Sequence, residues 1–166
     1  EIKNLCKTYS EFSLQNVSFT VPDGYVTGFI GRNGAGKTTT IKSILGMVRP
    51  DHGSIEVFDA PPYTAANKND IGVVMDLPFY VDEWRIKDVQ SAVAPFYTHW
   101  DSTSFSELCD AFKLSPSKRI KELSRGMKVK LMLALALSHQ AKLLVLDEPT
   151  SGLDPVARDE LLALFG

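Results

Sequence analysis

The clearest chemical signal in this sequence is a glycine-rich loop that ends in a lysine and a threonine. The run reads Gly31-Arg32-Asn33-Gly34-Ala35-Gly36-Lys37-Thr38, which matches the P-loop or Walker A pattern G-x-x-x-x-G-K-[ST]. Glycine has no Cβ, so such a backbone can turn tightly and aim successive N–H groups at phosphate oxygens. The pattern predicts that Lys37 reaches the β- and γ-phosphates of a nucleotide and that the Thr38 hydroxyl binds Mg²⁺.

The residues on either side of this loop favour the same interpretation. Residues 25–30 form an apolar, strand-like run, and residues 38–47 are helix-like. The motif requires this strand–loop–helix context, and the helix adds its positive dipole end to the anion site. The alternative, a Gly-rich turn that binds nothing, does not explain the context. The loop residues predicted to contact the nucleotide are Gly31, Asn33, Gly34, Ala35, Gly36, Lys37, Thr38 and Thr39.

Two carboxylates follow a second apolar run, residues 143–146, in the Walker B pattern. Ligands bind at the carboxyl ends of strands in open α/β sheets, so Asp147 is predicted to hold the Mg²⁺ sphere through water. Glu148 is predicted to act as general base on the attacking water. Strand alternation would point it away from Asp147, unless the chain has already left the strand. A strand that ends in solvated acids is the alternative, which the P-loop in the same chain disfavours.

The composition excludes several other classes of protein. With 166 residues, 44% hydrophobic and 23% charged, the chain has the usage of one globular domain. Its 18 Lys and Arg against 20 Asp and Glu give no support for general nucleic-acid binding. Cys6 and Cys109 lack metal-ligand spacing, which favours a reducing cytosol. The longest apolar run, 131–137, is too short to cross a bilayer, and no signal peptide is recognisable.

The periodicity predicts an α/β protein with a β-rich start and a helical insertion. Strands are predicted at 2–8, 19–21, 25–30, 54–58, 71–75 and 143–146, and a loop spans 61–63 and 67–70. Helices are predicted at 85–97, from a cap at Ser102 or Ser104 to 113, at 125–138, and from Pro155 with Asp154 as its cap. The helical part falls at 82–138. The chain starts without Met and ends inside a helix-like run, so it is expected to be incomplete.

Three further segments give a resemblance to a known family. Leu123-Ser124-Arg125-Gly126-Met127 resembles the LSGGQ signature of ABC ATPases, just ahead of Walker B. Pro149-Thr150-Ser151-Gly152-Leu153-Asp154 resembles the D-loop, and Tyr9 occupies the position of the A-loop aromatic. Over nearly all its length the chain is similar to the nucleotide-binding domain of an ABC transporter. The resemblance implies a P-loop NTPase core with an N-terminal antiparallel β subdomain and a helical signature subdomain.

The resemblance also implies a mode of action. Ser124 and Gly126 would form a second phosphate cradle at a helix N-terminus, contacting the γ-phosphate bound by an opposite subunit. Two copies, identical or related, would then sandwich two ATP molecules, with Asp154 in the D-loop also near nucleotide and Tyr9 stacked on adenine. The alternatives are that Ser124 merely caps a helix and that Tyr9 is a strand-edge aromatic. Separate permease subunits would carry the cargo, and the chain would lie on the cytoplasmic face of the membrane.

The sequence departs from the family pattern in several places. Arg125 and Met127 replace a Gly and a Gln of the signature, and Asp76 stands where the Q-loop usually has Gln or Glu. Asp76 is the third candidate Mg²⁺ ligand, although its side chain is shorter than Gln or Glu. The family's switch histidine would lie beyond residue 166. The three histidines present, His52, His99 and His139, are expected at the surface.

Two further segments of the sequence are candidate surfaces, one basic and one apolar. A basic cluster surrounds the signature, and it is predicted to be a solvated face that attracts ATP phosphates, with a nucleic-acid surface as the alternative. Its members are Lys118, Arg119, Lys121, Arg125, Lys128 and Lys130. Leu77-Pro78-Phe79-Tyr80 lies near where family members dock on membrane subunits, or else belongs to the subdomain core.

The resulting hypothesis is an ATP-binding and ATP-hydrolysing subunit of an ABC transporter. The alternative is a soluble ABC ATPase that acts on ribosomes or DNA. Such proteins usually carry two cassettes or a coiled-coil insertion, and neither is recognisable in this sequence.

Overall fold

The structure is a computed structural model that describes residues 1–62, 64–75 and 80–163. It divides into two compact units, of which the first ends at Lys68 and the second begins at Asn69. Asp76, the candidate metal ligand, lies outside the described residues, as do residues 77–79 of the predicted docking segment. None of the helices in the described ranges combines the length and apolar character that a bilayer crossing requires.

The first unit is built on a three-stranded antiparallel sheet. The strands β1 (Ile2–Thr8), β2 (Ser13–Phe19) and β3 (His52–Ile55) lie in the order β2-β1-β3, so β1 is central. Ile2 pairs with both Phe19 and Ile55, and its side chain is buried with Leu5 and Leu14. Helix α1 (Lys37–Ile44) follows the P-loop. The predicted N-terminal antiparallel β part is therefore confirmed.

Several predictions of local structure in this unit are wrong. Residues 25–30 form no strand, and Tyr25, Val26 and Ile30 are 73%, 82% and 97% exposed. An apolar run becomes a strand only when a neighbour takes up its backbone hydrogen bonds, and no strand in the described part of the chain pairs with this run. The strand predicted at 19–21 instead lies earlier, in β2.

The predicted loop at 67–70 is wrong as well. These residues belong to α2 (Ala65–Asp70). The buried side-chain amide of Asn67 donates to the carbonyls of Val57, Ala60 and Pro61, at 2.8, 3.3 and 2.9 Å. A polar residue that locally favours a loop thus anchors a helix, because its hydrogen-bond partners lie in a segment earlier in the chain.

The second unit combines a parallel strand pair with a helical cluster. Strands β4 (Ile71–Val74) and β5 (Leu143–Leu146) pair in parallel, with Val74 opposite Leu146. The helices are α3 (Ile86–Val93), α4 (Ser102–Ala111), α5 (Arg125–Leu137) and α6 (Pro155–Leu162), with 3₁₀ turns at Ala94–Phe96 and Ile120–Glu122. Helix α5 is the most buried of these and packs its apolar residues into one core with Val74, Ile86, Phe105 and Leu161.

The helix positions predicted in this unit are confirmed to within a few residues. One cap differs, because α4 is capped by Asp101 rather than by Ser102 or Ser104. Its Oδ1 accepts from the backbone N–H groups of Thr103 and Ser104, at 2.8 and 3.1 Å. A carboxylate at this position satisfies two orphan donors of the first turn.

The prediction of surface histidines holds for His52 and His99 but is wrong for His139, which is only 2% exposed. Its ring stacks on Tyr97, with centroids 3.9 Å apart and planes within 10°. Its Nδ1 lies 3.1 Å from the carbonyl oxygen of Asn69, whereas Nε2 has no hydrogen-bond partner among the described residues. Burial lowers the pKa of His139 because the charged imidazolium loses its hydration.

This burial predicts a pH-dependent stability. Since the pKa of His139 is lower in the folded state than its ordinary value of 6.5, the unfolded state binds more protons between those two values. Stability should therefore fall as the pH falls through about 6.5, and it should stop falling below the folded-state pKa. Urea unfolding between about pH 7.5 and about pH 5.5 measures this loss.

The control is a pair of variants. His139→Phe keeps an aromatic ring against Tyr97 and should abolish this part of the pH dependence, whereas His99→Gln, at an exposed position, should preserve it. Two other buried groups with shifted pKa values titrate well above this pH range. Burial raises the pKa of Tyr80 to about 12 and that of Cys109 to about 11. An unchanged pH dependence in His139→Phe would contradict the assignment.

Candidate functional site

The P-loop has the backbone of an anion-binding turn. Gly34 and Gly36 adopt left-handed conformations, with φ of 81° and 93°, and the N–H of Ala35 donates to the carbonyl of Arg32 at 3.0 Å. Glycine is needed at 36 for a second reason. A Cβ built there would lie 2.6 Å from Cδ1 of Leu14 and 2.8 Å from Cζ of Phe12. Gly36 also precedes α1, whose N-terminus has no side-chain cap, as an anion-binding helix end requires.

Lys37 is held against this loop. Its Nζ donates to the carbonyl of Gly31 at 2.8 Å and to that of Arg32 at 3.1 Å. An ammonium has three donors, so these two bonds position the charge at the loop and leave a direction for a further acceptor. Thr38, on the same first turn of α1, is exposed. The loop therefore presents a cation and a hydroxyl side by side.

Tyr9 lies one residue beyond β1 and is 44% exposed. Its ring stacks on Phe12, with centroids 6.4 Å apart, and its backbone N–H donates to the Phe12 carbonyl at 2.7 Å. Phe12 also contacts Gly36, so one aromatic ring connects the candidate adenine platform to the P-loop. Sequence reasoning missed Phe12, although an aromatic residue three positions after Tyr9 was an available signal.

The Walker B carboxylates lie at the end of the parallel strand pair in the second unit. Asp147 extends the ladder, since its N–H donates to the Val74 carbonyl at 2.9 Å, and the residue is only 6% exposed. Glu148 is exposed and has left the strand, with φ of +48°. Strand alternation therefore does not set the direction of Glu148, which the left-handed backbone turns out of the strand path. Left-handed non-glycine residues of this kind are held in place by their surroundings.

The signature residues form the start of α5. Ser124 caps this helix, because its Oγ accepts from the N–H of Met127 at 3.3 Å. A hydroxyl that accepts one hydrogen bond still has a proton to donate, so capping and phosphate binding are compatible. Gly126 faces α6 and the D-loop, since a Cβ built there would lie at ordinary contact distances, 3.4 Å from Cβ of Ala157 and 3.7 Å from Cδ2 of Leu153.

The D-loop residues pack on this helix start. Asp154 caps α6 as predicted, with its Oδ1 accepting from the N–H of Ala157 at 3.1 Å. Gly152 has φ of +64°, and the guanidinium of Arg125 lies on its open side. The signature and the D-loop are therefore in contact within the second unit. The sequence analysis treated Arg125 as a departure from the family pattern and a member of the basic cluster, and it missed this contact.

Acidic side chains pair with three of the six cations of the basic cluster. Lys121 and Arg119 lie 2.9 and 3.2 Å from the Glu83 carboxylate, and Lys130 pairs with Glu160 at 2.5 Å. The hydrogen bond and the charge of Lys121, followed by the charge of Arg119, hold the pKa of Glu83 below its usual range. This pairing of three of its six cations favours the solvated-face interpretation over a nucleic-acid interface.

The structure thus assembles the candidate residues in two groups. The first unit brings together Tyr9, the P-loop residues 31–37 and Thr38 and Thr39 of α1. In the second unit, Ser124, Gly126 and Asp154 lie around the starts of α5 and α6, and Asp147 and Glu148 follow the end of β5. No cluster of three or more His, Cys, Asp and Glu able to hold a metal occurs in the described ranges. A P-loop magnesium ion does not need one, because substrate phosphates and water supply most of its ligands.

These features define an α/β nucleotide-binding domain of the P-loop class. The family model described as ABC transporter matches residues 14–151. The chain therefore belongs to the ABC transporter family, whose ATP-binding domains bind ATP.

Relatives and solved structures agree with this assignment. The chain is 34% identical over 155 residues to the ABC transporter ATP-binding protein YtrB of Bacillus subtilis, covering 92% of this chain and 52% of that protein. It is 34% identical over 169 residues to the bacitracin transport ATP-binding protein BcrA of Bacillus licheniformis, covering 98% and 55%. An ATP-binding subunit of an ABC transporter superposes with a TM-score of 0.84 at 29% identity, over 99% of this chain and 72% of that one. The chain spans about half the length of these two curated relatives.

Proposed function

We propose that this chain is the ATP-binding and ATP-hydrolysing subunit of an ABC transporter, which dimerises around Mg-ATP and drives separate membrane subunits. The observation that carries the proposal is a P-loop with Lys37 held at its mouth, in one chain with a buried Asp147 followed by an exposed Glu148. Residues 1–166 would form one nucleotide-binding domain, with 82–138 as its helical subdomain.

Nucleotide binding would use the backbone of the loop and the start of α1. The N–H groups around Gly34 and Gly36 would surround the phosphates, and Lys37 would exchange its loop carbonyls for phosphate oxygens. Phosphate offers a stronger, charge-assisted hydrogen bond than a neutral carbonyl does. Tyr9, stacked on one side by Phe12, would offer its exposed face to adenine.

The predicted donors have the chemistry of magnesium ligands. Thr38 would supply a hydroxyl oxygen and Asp147 a carboxylate, directly or through water, and both are the hard oxygen ligands that Mg²⁺ prefers. Magnesium would supply charge neutralisation on the β- and γ-phosphates. Asp76 is the remaining candidate ligand, on the family resemblance alone.

Hydrolysis would place Glu148 as the general base. Its carboxylate would take a proton from water while the water oxygen bonds to the γ-phosphorus, and the bond from that phosphorus to the β–γ bridging oxygen breaks. ADP and inorganic phosphate result. Lys37 would stabilise the charge that develops on the transferred phosphoryl group and the leaving ADP.

The proposed partners are a second nucleotide-binding domain and membrane subunits. Ser124 and Gly126 would complete the phosphate site of the opposite copy, with Asp154 near the same nucleotide. Relatives named for bacitracin transport and for lantibiotic transport support membrane partners and a place on the cytoplasmic face of the membrane. Both names refer to transport, and neither refers to ribosomes or DNA.

Sedimentation of Glu148→Gln tests the dimer. This variant should retain ATP and shift from monomer to dimer on addition of Mg-ATP, and it should return to monomer when the nucleotide is removed. The matched control is the double variant that combines Lys37→Ala with Glu148→Gln. It should stay monomeric because the ATP phosphates lose their main cation.

Persistent monomer of Glu148→Gln, with ATP binding confirmed by titration, would contradict the sandwich. The nucleotide-free run also addresses the alternative function. RNA or DNA that sediments with the purified protein would favour action on nucleic acid over transport.

A further inference from the structure

We propose that Arg125 is a positioning residue that holds the turn carrying Glu148, by packing its guanidinium on Gly152. The proposal rests on the proposed ATPase function for its kinetic consequence, but the contact itself is a feature of the second unit. Arg125 lies at the first position of α5, and Gly152 lies four residues after Glu148.

The contact involves the whole guanidinium rather than one atom of it. A Cβ built on Gly152 would lie 2.9 Å from Nη1, 3.1 Å from Cζ and 3.3 Å from Nε of Arg125. Three atoms of the planar group at nearly equal distances mean that the group covers the side of Gly152 where a side chain would project. The absence of a side chain at 152 is therefore a condition for this packing.

The turn that Arg125 contacts is already restrained at both ends. At its start, the N–H of Asp147 donates to the carbonyl of Val74 at 2.9 Å. Within the turn, the N–H of Ser151 donates to the carbonyl of Glu148 at 3.0 Å. At its end, Asp154 caps α6. The stretch between these anchors includes Glu148 at φ +48° and Gly152 at φ +64°.

A left-handed backbone is strained for a glutamate, so its surroundings must hold it. The Arg125 side chain reaches this stretch from another element, the start of α5. Removing the Arg125 guanidinium should let the turn relax and should displace the Glu148 carboxylate from the position in which it would act as general base. Since displacement of a catalytic group lowers the rate more than it lowers substrate binding, the effect should appear in kcat.

The family signature pattern has a glycine where this chain has Arg125. A glycine there has no side chain to reach position 152. This chain therefore makes a link between signature and D-loop that the usual pattern does not provide, and the link joins the candidate phosphate cradle at Ser124 to the turn of the candidate base.

Three variants test the proposal. Arg125→Met keeps the aliphatic length but removes the planar charged group, and it should lower kcat about tenfold while the ATP dissociation constant stays within about twofold. Arg125→Lys should recover part of the loss. Lys121→Met is the matched control, because it removes a cation of the same cluster that pairs with Glu83 instead, and it should leave kcat unchanged.

Amide hydrogen exchange supplies a readout that does not depend on turnover. In Arg125→Met, residues 147–153 should exchange faster than in the wild type, while the buried part of α5 should not change. Gly152→Ala displaces the guanidinium, so adding Arg125→Met to Gly152→Ala should give little further loss of kcat and little further exchange. Because alanine at φ +64° also strains this turn directly, this non-additivity identifies the contact as the cause only together with the faster exchange in Arg125→Met alone.

Unchanged exchange at 147–153 in Arg125→Met would overturn the proposal, and so would fully additive effects of the two substitutions. A parallel weakening of ATP binding and kcat would also overturn it, because it would make Arg125 a direct nucleotide contact. If the wild type itself failed to hydrolyse ATP, the proposed function would fall, while the exchange experiment would still decide the role of the contact.

Discussion

Replacement of Glu148 by glutamine should lower the rate of ATP hydrolysis about a thousandfold while leaving ATP binding unchanged. General-base catalysis contributes about 10²- to 10⁴-fold in enzymes, and an amide cannot take the proton of the attacking water. Glutamine has nearly the shape of glutamate, so it should also keep the left-handed backbone at φ +48°. Phosphate release at saturating Mg-ATP measures the rate, and a nucleotide titration measures binding.

The control for this experiment is Glu107→Gln, which removes one exposed carboxylate from α4 in the same unit. It should hydrolyse ATP at the wild-type rate. Phosphate release by Glu148→Gln within a few-fold of wild type would remove Glu148 from the role of base. The aspartate beside it would then become the candidate to examine, although its burial suits a metal ligand better.

Replacement of Lys37 by alanine should weaken ATP binding about 10- to 100-fold. Charge-assisted hydrogen bonds contribute about 1.5–3 kcal/mol each, and Lys37 is the cation that the loop itself holds at its mouth. The substitution also removes the bonds from Nζ to the carbonyls of Gly31 and Arg32. Isothermal titration with ATP measures the effect, and circular dichroism shows whether the fold persists.

Lys42→Ala is the matched control, because Lys42 is exposed in the last turn of the same helix, away from the loop. It should bind ATP as the wild type does. An ATP titration unchanged by Lys37→Ala would contradict the P-loop assignment, whatever the motif suggests. Equal losses in both variants would indicate that the charge of α1, rather than the position of Lys37, governs binding.

Much of the candidate site could be predicted because its chemistry is local. The P-loop turn needs glycines at fixed offsets from Lys37, and the structure has Gly34 and Gly36 in left-handed conformations. The cap of α6 by Asp154 and the start of α5 after Ser124 likewise depend on groups three residues apart. Hydrogen bonds over such short separations follow from backbone geometry, so residue types at a given spacing are sufficient.

The roles in catalysis and nucleotide contact remain predictions for Glu148, Asp147, Tyr9 and the signature residues. Their positions are nevertheless informative. Asp147 is buried at the end of a parallel strand, as the Walker B pattern predicts. Glu148 is the exception, because its left-handed conformation takes it out of the strand path that alternation assumes.

The sequence by itself determined the phosphate-binding loop, the order of the motifs, the cap of α6 at Asp154 and the apolar strand at 143–146. Only the tertiary structure decided that 25–30 forms no strand, that Asn67 anchors a helix, that His139 is buried against Tyr97, and that Arg125 packs on Gly152. The physical reason is the same in each case. These features depend on partners more than five residues away, and no local pattern of residue types records which distant group will supply the hydrogen bond, the stacked ring or the open face of a glycine.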